Sequence, residues 1–234
     1  MSDHLTRKEL KQDNVAQTVG ATFGFLTTHR PQIIRYGGAA LALIVVVGLG
    51  VYYRNYTRDA RQLALADAIT LQSAPVGAPP QNGGVSFPTE AAKKEGVVKA
   101  YTKLFADHAG SNEGYLAEYA LAAMDVDAGK LADARKKYSD VAAGADSNYA
   151  SLAKLALAEI NFAEGKNSDA KSILKELGDK PTDLVSKHQV DFTLARGIMS
   201  TEPAEARKLL IALAETKSDI SQSAVTALGE LPPQ

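Results

Sequence analysis

Apolar residues are concentrated in one segment near the amino terminus. Residues 36–53 form a run of 18 positions without a charged side chain, bracketed by Arg35 and Arg54. As a helix rising about 1.5 Å per residue, the run would extend ~27 Å, close to the ~30 Å hydrocarbon thickness of a bilayer. Tyrosines lie at both ends of the run, where aromatic side chains anchor a helix in the interface. The pattern predicts a single transmembrane helix over residues 36–53.

Two other interpretations of this run are disfavoured. The first is a buried core helix, since 18 residues lie near the lower edge of the spanning range. The second is a cleaved signal peptide, which needs a short basic start, whereas 35 residues precede the run and no Ala-x-Ala type cleavage pattern follows Tyr53. The flanking charges leave the orientation open, because two arginines lie on the amino-terminal side and three on the carboxyl-terminal side.

Residues 1–35 form the predicted juxtamembrane tail. They carry five cations and three anions, and a few apolar residues such as Leu10, Val19 and Phe23 lie among the charges. This pattern fits an amphipathic helix on the bilayer surface. It fits a partly disordered tail equally well, because large apolar groups are scarce. Neither interpretation makes the tail a catalytic domain.

A helix and a linker are predicted directly after the membrane run. Residues 54–72 continue with helix-forming residues and apolar positions at helical spacing, which indicates a first repeat helix that continues from the membrane. Residues 73–90 contain four prolines and three glycines and have the composition of a loop or linker.

An internal repeat of 36 residues follows the linker. A small residue recurs three times at this period, and a large apolar residue recurs four positions after each: Ala134, Ala170 and Ala206, followed by Tyr138, Leu174 and Leu210. Each unit is predicted to be helix, short turn, helix. The alanine allows two antiparallel helices to approach closely, and the large residue fills the groove behind it. One such unit cannot bury its own apolar face, so stacking of units is required.

The repeats are predicted to occupy residues 91–234. The helix over 95–108 would pair with the helix over 58–71 as a degenerate first unit, interrupted by the linker. Residues 221–231 would form a capping helix. Such a stack of helix pairs is an α-solenoid.

The repeat pattern resembles the tetratricopeptide repeat. Leu121, Ala122, Gly129, Ala134 and Tyr138 fall where that family has its Leu, small, Gly, Ala and aromatic positions. The departures are the absent tryptophan of the first helix, replaced by Glu118 and Lys154, and a period above the usual ~34 residues. The fold class implied is all-α, with a single N-terminal transmembrane helix followed by an α-solenoid of tetratricopeptide-like helix pairs.

The order of tail, span, helix, linker and divergent repeats is similar to the ancillary SecYEG translocon subunit family of bacteria. The resemblance implies a single-pass protein of the bacterial inner membrane, with the amino terminus cytoplasmic and the repeats periplasmic. It also implies contacts with translocon subunits, periplasmic chaperones or client chains, and with membrane lipid through one helix.

Composition argues against several classes of chemistry. The 26 Lys and Arg nearly balance the 27 Asp and Glu, which disfavours a nucleic-acid binder held by phosphate contacts. The sequence has no Cys, its four His are scattered, and no phosphate loop, nucleophile elbow or metal motif is present. We therefore expect no catalytic residues, no bound cofactor and no metal.

The leading functional hypothesis is a protein-interaction module with a concave groove lined by the first helices of the repeats. Aligning the units gives nine candidate groove positions: Tyr119, Ala123, Val126, Leu155, Glu159, Phe162, Asp191, Ala195 and Ile198. The alternative is that the apolar members belong to the core. The module would assist Sec-dependent translocation or handover to periplasmic chaperones. A second hypothesis is an envelope scaffold that coordinates cell-wall or outer-membrane assembly, and an enzyme is the disfavoured third.

Overall fold

The computed structural model describes residues 30–78 and 84–231, and it describes side chains in these ranges except at 30–42 and 54–55. All regular secondary structure in these ranges is helical. The helices are α1 (Arg30–Ser73), α2 (Glu90–Asp107), α3 (Asn112–Asp127), α4 (Leu131–Gly144), α5 (Ser147–Ala163), α6 (Asn167–Asp179), α7 (Lys187–Ile198), α8 (Pro203–Ala214) and α9 (Ser221–Glu230). The all-α prediction is confirmed.

The chain divides into two units at Asp59 and Ala60, within α1. In the amino-terminal unit, the large apolar side chains from Leu43 to Tyr53 are 51% to 71% exposed. None of the helices that the structure describes combines the length and the apolarity needed to cross a membrane. Residues 1–29 of the predicted tail, and the side chains of residues 36–42 of the predicted span, lie outside what is described.

In the second unit, the two ends of the segment between α1 and α2 are hydrogen-bonded to each other. Val76 and Phe87 form an isolated parallel bridge. The Gly77 N–H donates to the Phe87 carbonyl at 2.8 Å, and the Phe87 N–H donates to the Pro75 carbonyl at 3.0 Å. The Phe87 ring lies over Gly96 of α2, where an added Cβ would come within 2.8 Å of the ring. The Phe87 ring thus packs the carboxyl-terminal end of the predicted linker against α2.

Helices α3 to α8 form three stacked pairs. Each helix packs on the next along the chain, and the first helices of neighbouring pairs also touch, α3 with α5 and α5 with α7. The end of α1 packs with α2 and α3 around Ala68, Val97 and Leu104. The last helix, α9, packs on α8. These contacts describe a tetratricopeptide-like solenoid, as the repeat pattern predicts.

The repeated small and large residues form the centre of each pair. Ala134, Ala170 and Ala206 are completely buried, and the large residues four positions later are at most 4% exposed: Tyr138, Leu174 and Leu210. A methyl group at the helix contact allows close approach of the backbones, and the larger side chain fills the space that remains.

Two of the three turns within the pairs depend on glycine. Gly129 and Gly165 have φ values of 72° and 75°, in the left-handed region that glycine adopts without steric cost. In the first turn the Lys130 N–H reaches back to the Asp125 carbonyl, and in the second the Lys166 N–H reaches the Asn161 carbonyl, both at 2.8 Å. This is the Schellman arrangement, which satisfies carbonyls at a helix end.

The third turn is built differently, because Thr201 stands where the other pairs have glycine. The N–H groups of Thr201 and Glu202 both donate to the Ile198 carbonyl, at 3.1 and 2.7 Å. Pro203 then begins α8, a position where proline's fixed φ suits a helix and its missing N–H is not needed.

Polar bonds at equivalent positions join successive pairs. Arg135 of α4 donates to Asn161 Oδ1 at 2.8 Å and to Glu164 Oε2 at 2.7 Å. Lys171, the equivalent residue of α6, donates to Glu202 Oε1 at 2.6 Å. Each bond runs from the second helix of one pair to the carboxyl-terminal end of the next pair's first helix or to the turn that follows it. The register of the stack is therefore marked by side-chain bonds as well as by apolar packing.

Candidate protein-binding groove

The first helices of the pairs, α3, α5 and α7, begin in the same way. Ser111, Asp146 and Ser186 precede them, and the side chain of each accepts a backbone N–H from the first turn. These N-caps satisfy donors that would otherwise lack an acceptor within the helix. Local sequence thus fixes where each of the three helices begins.

Two adjoining pockets lie along these helices, and both are lined by Glu159 of α5. The first, called the α3–α5 pocket, has a volume of about 330 Å³. Besides Glu159 its walls are Ala123, Val126, Asp127, Leu131, Tyr138, Ala156, Ile160 and Ala163. Three alanines leave the space open, so the pocket is an apolar cleft with two carboxylates.

The second, called the α5–α7 pocket, has a volume of about 390 Å³. Its walls are Glu159, Phe162, Phe192, Thr193, Arg196 and Gly197. A Cβ atom at Gly197 would overlap the Phe162 ring. Because Gly197 has no side chain, the Phe162 ring of α5 lies against the backbone of α7. The ring forms one wall of the pocket.

Tyr138 is the buried polar side chain of the α3–α5 pocket. It is 4% exposed and meets the Tyr119 ring edge-on, with centroids 5.1 Å apart and an interplanar angle of 63°. Burial raises the pKa of Tyr138 well above its ordinary value, and Tyr119, Glu159 and Asp127 add to the rise. The hydroxyl forms no hydrogen bond with any other residue that the structure describes.

The two carboxylates of this pocket have no ion-pair partner within 4.0 Å among the described residues. Glu159 is exposed to the groove, yet desolvation by the surrounding walls raises its pKa, while Arg196 acts in the opposite direction. Glu159 also raises the pKa of Tyr119, after the larger effect of burial. Negative charge is thus held in a partly desolvated, mostly apolar site.

The structure brings four of the nine predicted groove positions to these pockets. Ala123 and Val126 line the first pocket, Phe162 lines the second, and Glu159 lines both. Tyr119 is half-buried and packs against the cluster that contains Tyr138.

The other four predicted positions lie elsewhere. Leu155, Ala195 and Ile198 are buried, at 6%, 0% and 0% exposure, as expected under the interpretation that apolar members belong to the core. Asp191 lines a separate cavity of about 250 Å³ between α6 and α7, together with Lys171, Lys175 and Lys187.

The difference in α7 comes from the residues chosen in α5, not from a change of period. Adding the 36-residue period to Leu155 and Glu159 gives Asp191 and Ala195, whereas Phe192 and Arg196 are the equivalents of Ala156 and Ile160, which line the first pocket. Leu155 is itself buried, so its equivalent on α7 does not line the second pocket either. The period therefore holds through α7, although the loop before this helix, in which the Thr182 N–H donates to the Val185 carbonyl at 3.0 Å, is longer than the connection before α5.

Sequence reasoning also did not assign Asp127, Tyr138 and Gly197 to a binding surface. Asp127 follows Val126 directly, so a wider window on α3 would have included it. Phe192 and Arg196 are four positions apart, a spacing that places two side chains on one helix face. Tyr138 and Gly197 gave no usable signal, because their roles depend on contacts between helices.

The stacked helix pairs, their glycine turns and the groove along α3, α5 and α7 define a helical-repeat protein. A family model described as a tetratricopeptide repeat-like domain matches residues 33–207. Since this match covers more than half of the chain, the protein belongs to the tetratricopeptide repeat-like family. Searches of curated proteins and of solved structures found no match.

Membership of this family supports a protein–protein interaction module, and repeat domains of this kind are typically non-enzymatic. Within the described residues, no group of three or more His, Asp or Glu side chains is arranged to hold a metal ion. The resemblance to the ancillary translocon subunits stays a prediction, because the family match specifies only the repeat-like domain.

Proposed function

We propose that this chain is a membrane-anchored protein-binding module that receives segments of other proteins in its groove. The observation that carries the proposal is the pair of adjoining pockets that share Glu159. Concave sites lined by apolar walls and a few placed polar groups are the usual form of a binding site, and helical repeats present such sites along the stack.

The anchor in this proposal is the uncharged run over residues 36–53. The side chains of Leu43, Ile44, Val45, Val46 and Val47 are all more than half exposed. Five consecutive helical residues point in every direction around the axis. A single protein partner would cover one face of such a helix, whereas lipid would cover all of it, so this exposure supports a lipid environment.

The setting of the module follows from the resemblance to the ancillary translocon subunits. We place the anchor in the bacterial inner membrane, the amino terminus in the cytoplasm and the repeats in the periplasm. The partners would be translocon subunits, periplasmic chaperones and client chains emerging from the translocon. The module would assist Sec-dependent translocation or pass these chains to chaperones.

Photocrosslinking in cells tests the binding groove and the partners together. Val126 and Phe162 each line one pocket and would be replaced by p-benzoylphenylalanine, with the exposed Ser172 of α6 as the control position. Crosslinks to translocon subunits, chaperones or secreted chains from the two groove positions, and not from Ser172, are the expected result. Equal crosslinking from all three positions would contradict a binding groove.

Reporter fusions test the topology independently. Alkaline phosphatase fused after Gln234 should be active, because it requires an oxidising compartment, and a fusion before Met1 should be inactive. The reverse pattern would overturn the proposed orientation. Release of the unfused chain by alkaline carbonate would overturn the anchor, since carbonate does not extract a spanning helix.

A further inference from the structure

We infer that the α3–α5 pocket selects a lysine or arginine side chain of the bound segment, next to a large apolar residue that enters the α5–α7 pocket. This inference deepens the proposed function and rests on it. It names the chemistry of the segment that the groove recognises.

The shape and lining of the α3–α5 pocket match a long cationic side chain. Lysine and arginine carry an aliphatic stem that packs on apolar surface while the charged end seeks a polar group. The walls formed by Val126, Leu131 and Ile160 suit the stem. Asp127 and Glu159 line the same pocket and supply two carboxylates for the charge.

Among the described residues, neither Asp127 nor Glu159 forms an ion pair. The surrounding walls partly desolvate Glu159, and Arg196 offsets this effect only through a longer-range interaction. Partly desolvated negative charge is costly to maintain. A cationic side chain from a partner would lower this cost and would gain a charge-assisted bond.

Tyr138 gives an independent indication that the pocket receives a ligand. Its side chain lines the pocket and is almost completely buried, with 4% of its surface exposed. Its hydroxyl forms no hydrogen bond with another described residue, and no described polar side-chain atom is both buried and without a partner, so this oxygen is accessible from the cleft. A hydroxyl on the wall of a cleft can donate to a backbone carbonyl of a bound segment, which would hold the basic side chain in place.

The adjoining pocket determines the neighbouring residue of the segment. Phe162 and Phe192 give the α5–α7 pocket aromatic walls, which favour a large apolar side chain. Arg196 also lines this pocket and would repel a second cation there. The basic residue is therefore directed to the α3–α5 pocket and the apolar residue to the α5–α7 pocket.

Selection from a phage-displayed library of random dodecapeptides tests this inference. The targets are the full chain, the double variant Asp127→Asn with Glu159→Gln, and a control double variant. The control is Asp133→Asn with Asp169→Asn, which removes two exposed carboxylates at equivalent positions of α4 and α6. The two double variants lose the same charge, so only the place of the loss differs.

Peptides with Lys or Arg beside a large apolar residue should be enriched by the unmodified chain and by the control, and not by the groove variant. For one selected peptide, replacing its basic residue by Met should weaken binding to the unmodified chain about tenfold, as for a partly desolvated charge pair. The same replacement should have little effect on binding to the groove variant, as a coupled pair requires.

Each other outcome overturns a different claim. Selected peptides without basic residues would contradict the inference and leave the binding groove intact. Basic enrichment that survives in the groove variant would show that Asp127 and Glu159 do not select the cation. If neither the unmodified chain nor the control selects any peptide, the proposed binding function itself fails. Far-ultraviolet circular dichroism of all three proteins excludes loss of folding as the cause.

Discussion

The two pockets of the groove are built from equivalent positions of neighbouring repeats, but they differ in chemistry. Val126 corresponds to Phe162, Ala156 to Phe192, and Ile160 to Arg196. The first pocket is an apolar cleft with two acids, while the second has aromatic walls, a cation and the shared Glu159. The buried alanines at the same period are all completely inaccessible to solvent. The alanines buried between the helices are thus the same from repeat to repeat, while the residues that line the pockets differ.

The same contrast applies to Tyr138 and Leu174, which occupy one repeat position. Both are buried, but Tyr138 lines the first pocket, whereas Leu174 lines no part of the second. The same repeat position therefore packs in the core and lines a pocket in one pair, and only packs in the core in the next pair with respect to these two pockets. The predictions below separate these two roles.

The largest effect is expected for Leu174→Ala. Leu174 is 1% exposed and lies in the cluster shared by α5, α6 and α7, so truncation leaves a cavity and should lower the free energy of unfolding by about 3 kcal/mol. Urea unfolding measures the change. Leu184, which is 42% exposed, is the control, and Leu184→Ala should change stability by less than ~0.5 kcal/mol. Similar losses in both variants would contradict the packing role of Leu174.

A smaller effect is expected for Gly197→Ala. The new methyl group must displace the Phe162 ring, and overpacking of this kind costs about 1–3 kcal/mol, partly offset by the better helix propensity of alanine, worth up to ~1 kcal/mol. The temperature of thermal unfolding and the affinity for a bound peptide should both fall. The added change Phe162→Leu should restore stability if the clash with the ring is the cause.

Gly229→Ala is the matched control for this prediction. Gly229 is also in a helix, and apart from its chain neighbours and its own helix backbone no described atom lies within 4 Å of an added Cβ there. Its replacement should be neutral, or should stabilise the protein by up to ~1 kcal/mol. Equal destabilisation by Gly197→Ala and Gly229→Ala would show that a clash with the Phe162 ring is not the cause of the effect at Gly197.

Tyr138→Phe should separate binding from stability. Because the hydroxyl has no partner among the described residues, its removal should change the free energy of unfolding by less than ~0.5 kcal/mol, while the affinity for a selected peptide should fall roughly threefold to tenfold. Tyr101→Phe should instead lower stability without affecting binding. The Tyr101 hydroxyl donates to Gln72 Oε1 at 2.6 Å, so its loss should lower the free energy of unfolding by about 1 kcal/mol and leave the peptide affinity unchanged.

The smallest effect concerns pH. Desolvation raises the pKa of Glu159 above its ordinary value of 4.5 in the folded state, so the folded protein holds this proton to a higher pH than the unfolded chain does. The contribution to stability is present below that ordinary value and is lost as the pH rises through the raised pKa. Glu159→Gln should therefore make the free energy of unfolding fall less as the pH rises through this window.

Glu118→Gln extends the comparison to a less accessible carboxyl. Glu118 is 6% exposed, and desolvation followed by repulsion from Asp140 raises its pKa. The sign is the same as for Glu159. Glu118→Gln should therefore also make the free energy of unfolding fall less as the pH rises above the ordinary pKa of a glutamate, although Lys137 and Lys136 oppose the shift. An unchanged pH dependence would show that the pKa of Glu118 is not raised in the folded protein.

Local sequence was sufficient for the helices of the repeats and for their period. Gly129 and Gly165 predict turns because of their conformational freedom, and the alternation of small and large residues predicts close packing of helices. Phe192 and Arg196 were missed because Ala156 and Ile160, their equivalents 36 residues earlier, were not assigned to the groove. Which face of α5 lines the pockets depends on how α5 packs between α3 and α7, and the sequence period alone does not specify that face.

The sequence by itself determined the all-α class, the helix pairs and the buried residues of the frame, because helical periodicity and side-chain size act within and between adjacent segments. Only the tertiary structure decided which side chains line the groove. Glu159 lines two pockets, the Tyr138 hydroxyl in one of them has no hydrogen-bond partner among the described residues, and Gly197 accommodates the Phe162 ring. Each of these features depends on the approach of two helices that are distant in sequence, and that approach is set by packing across the whole stack.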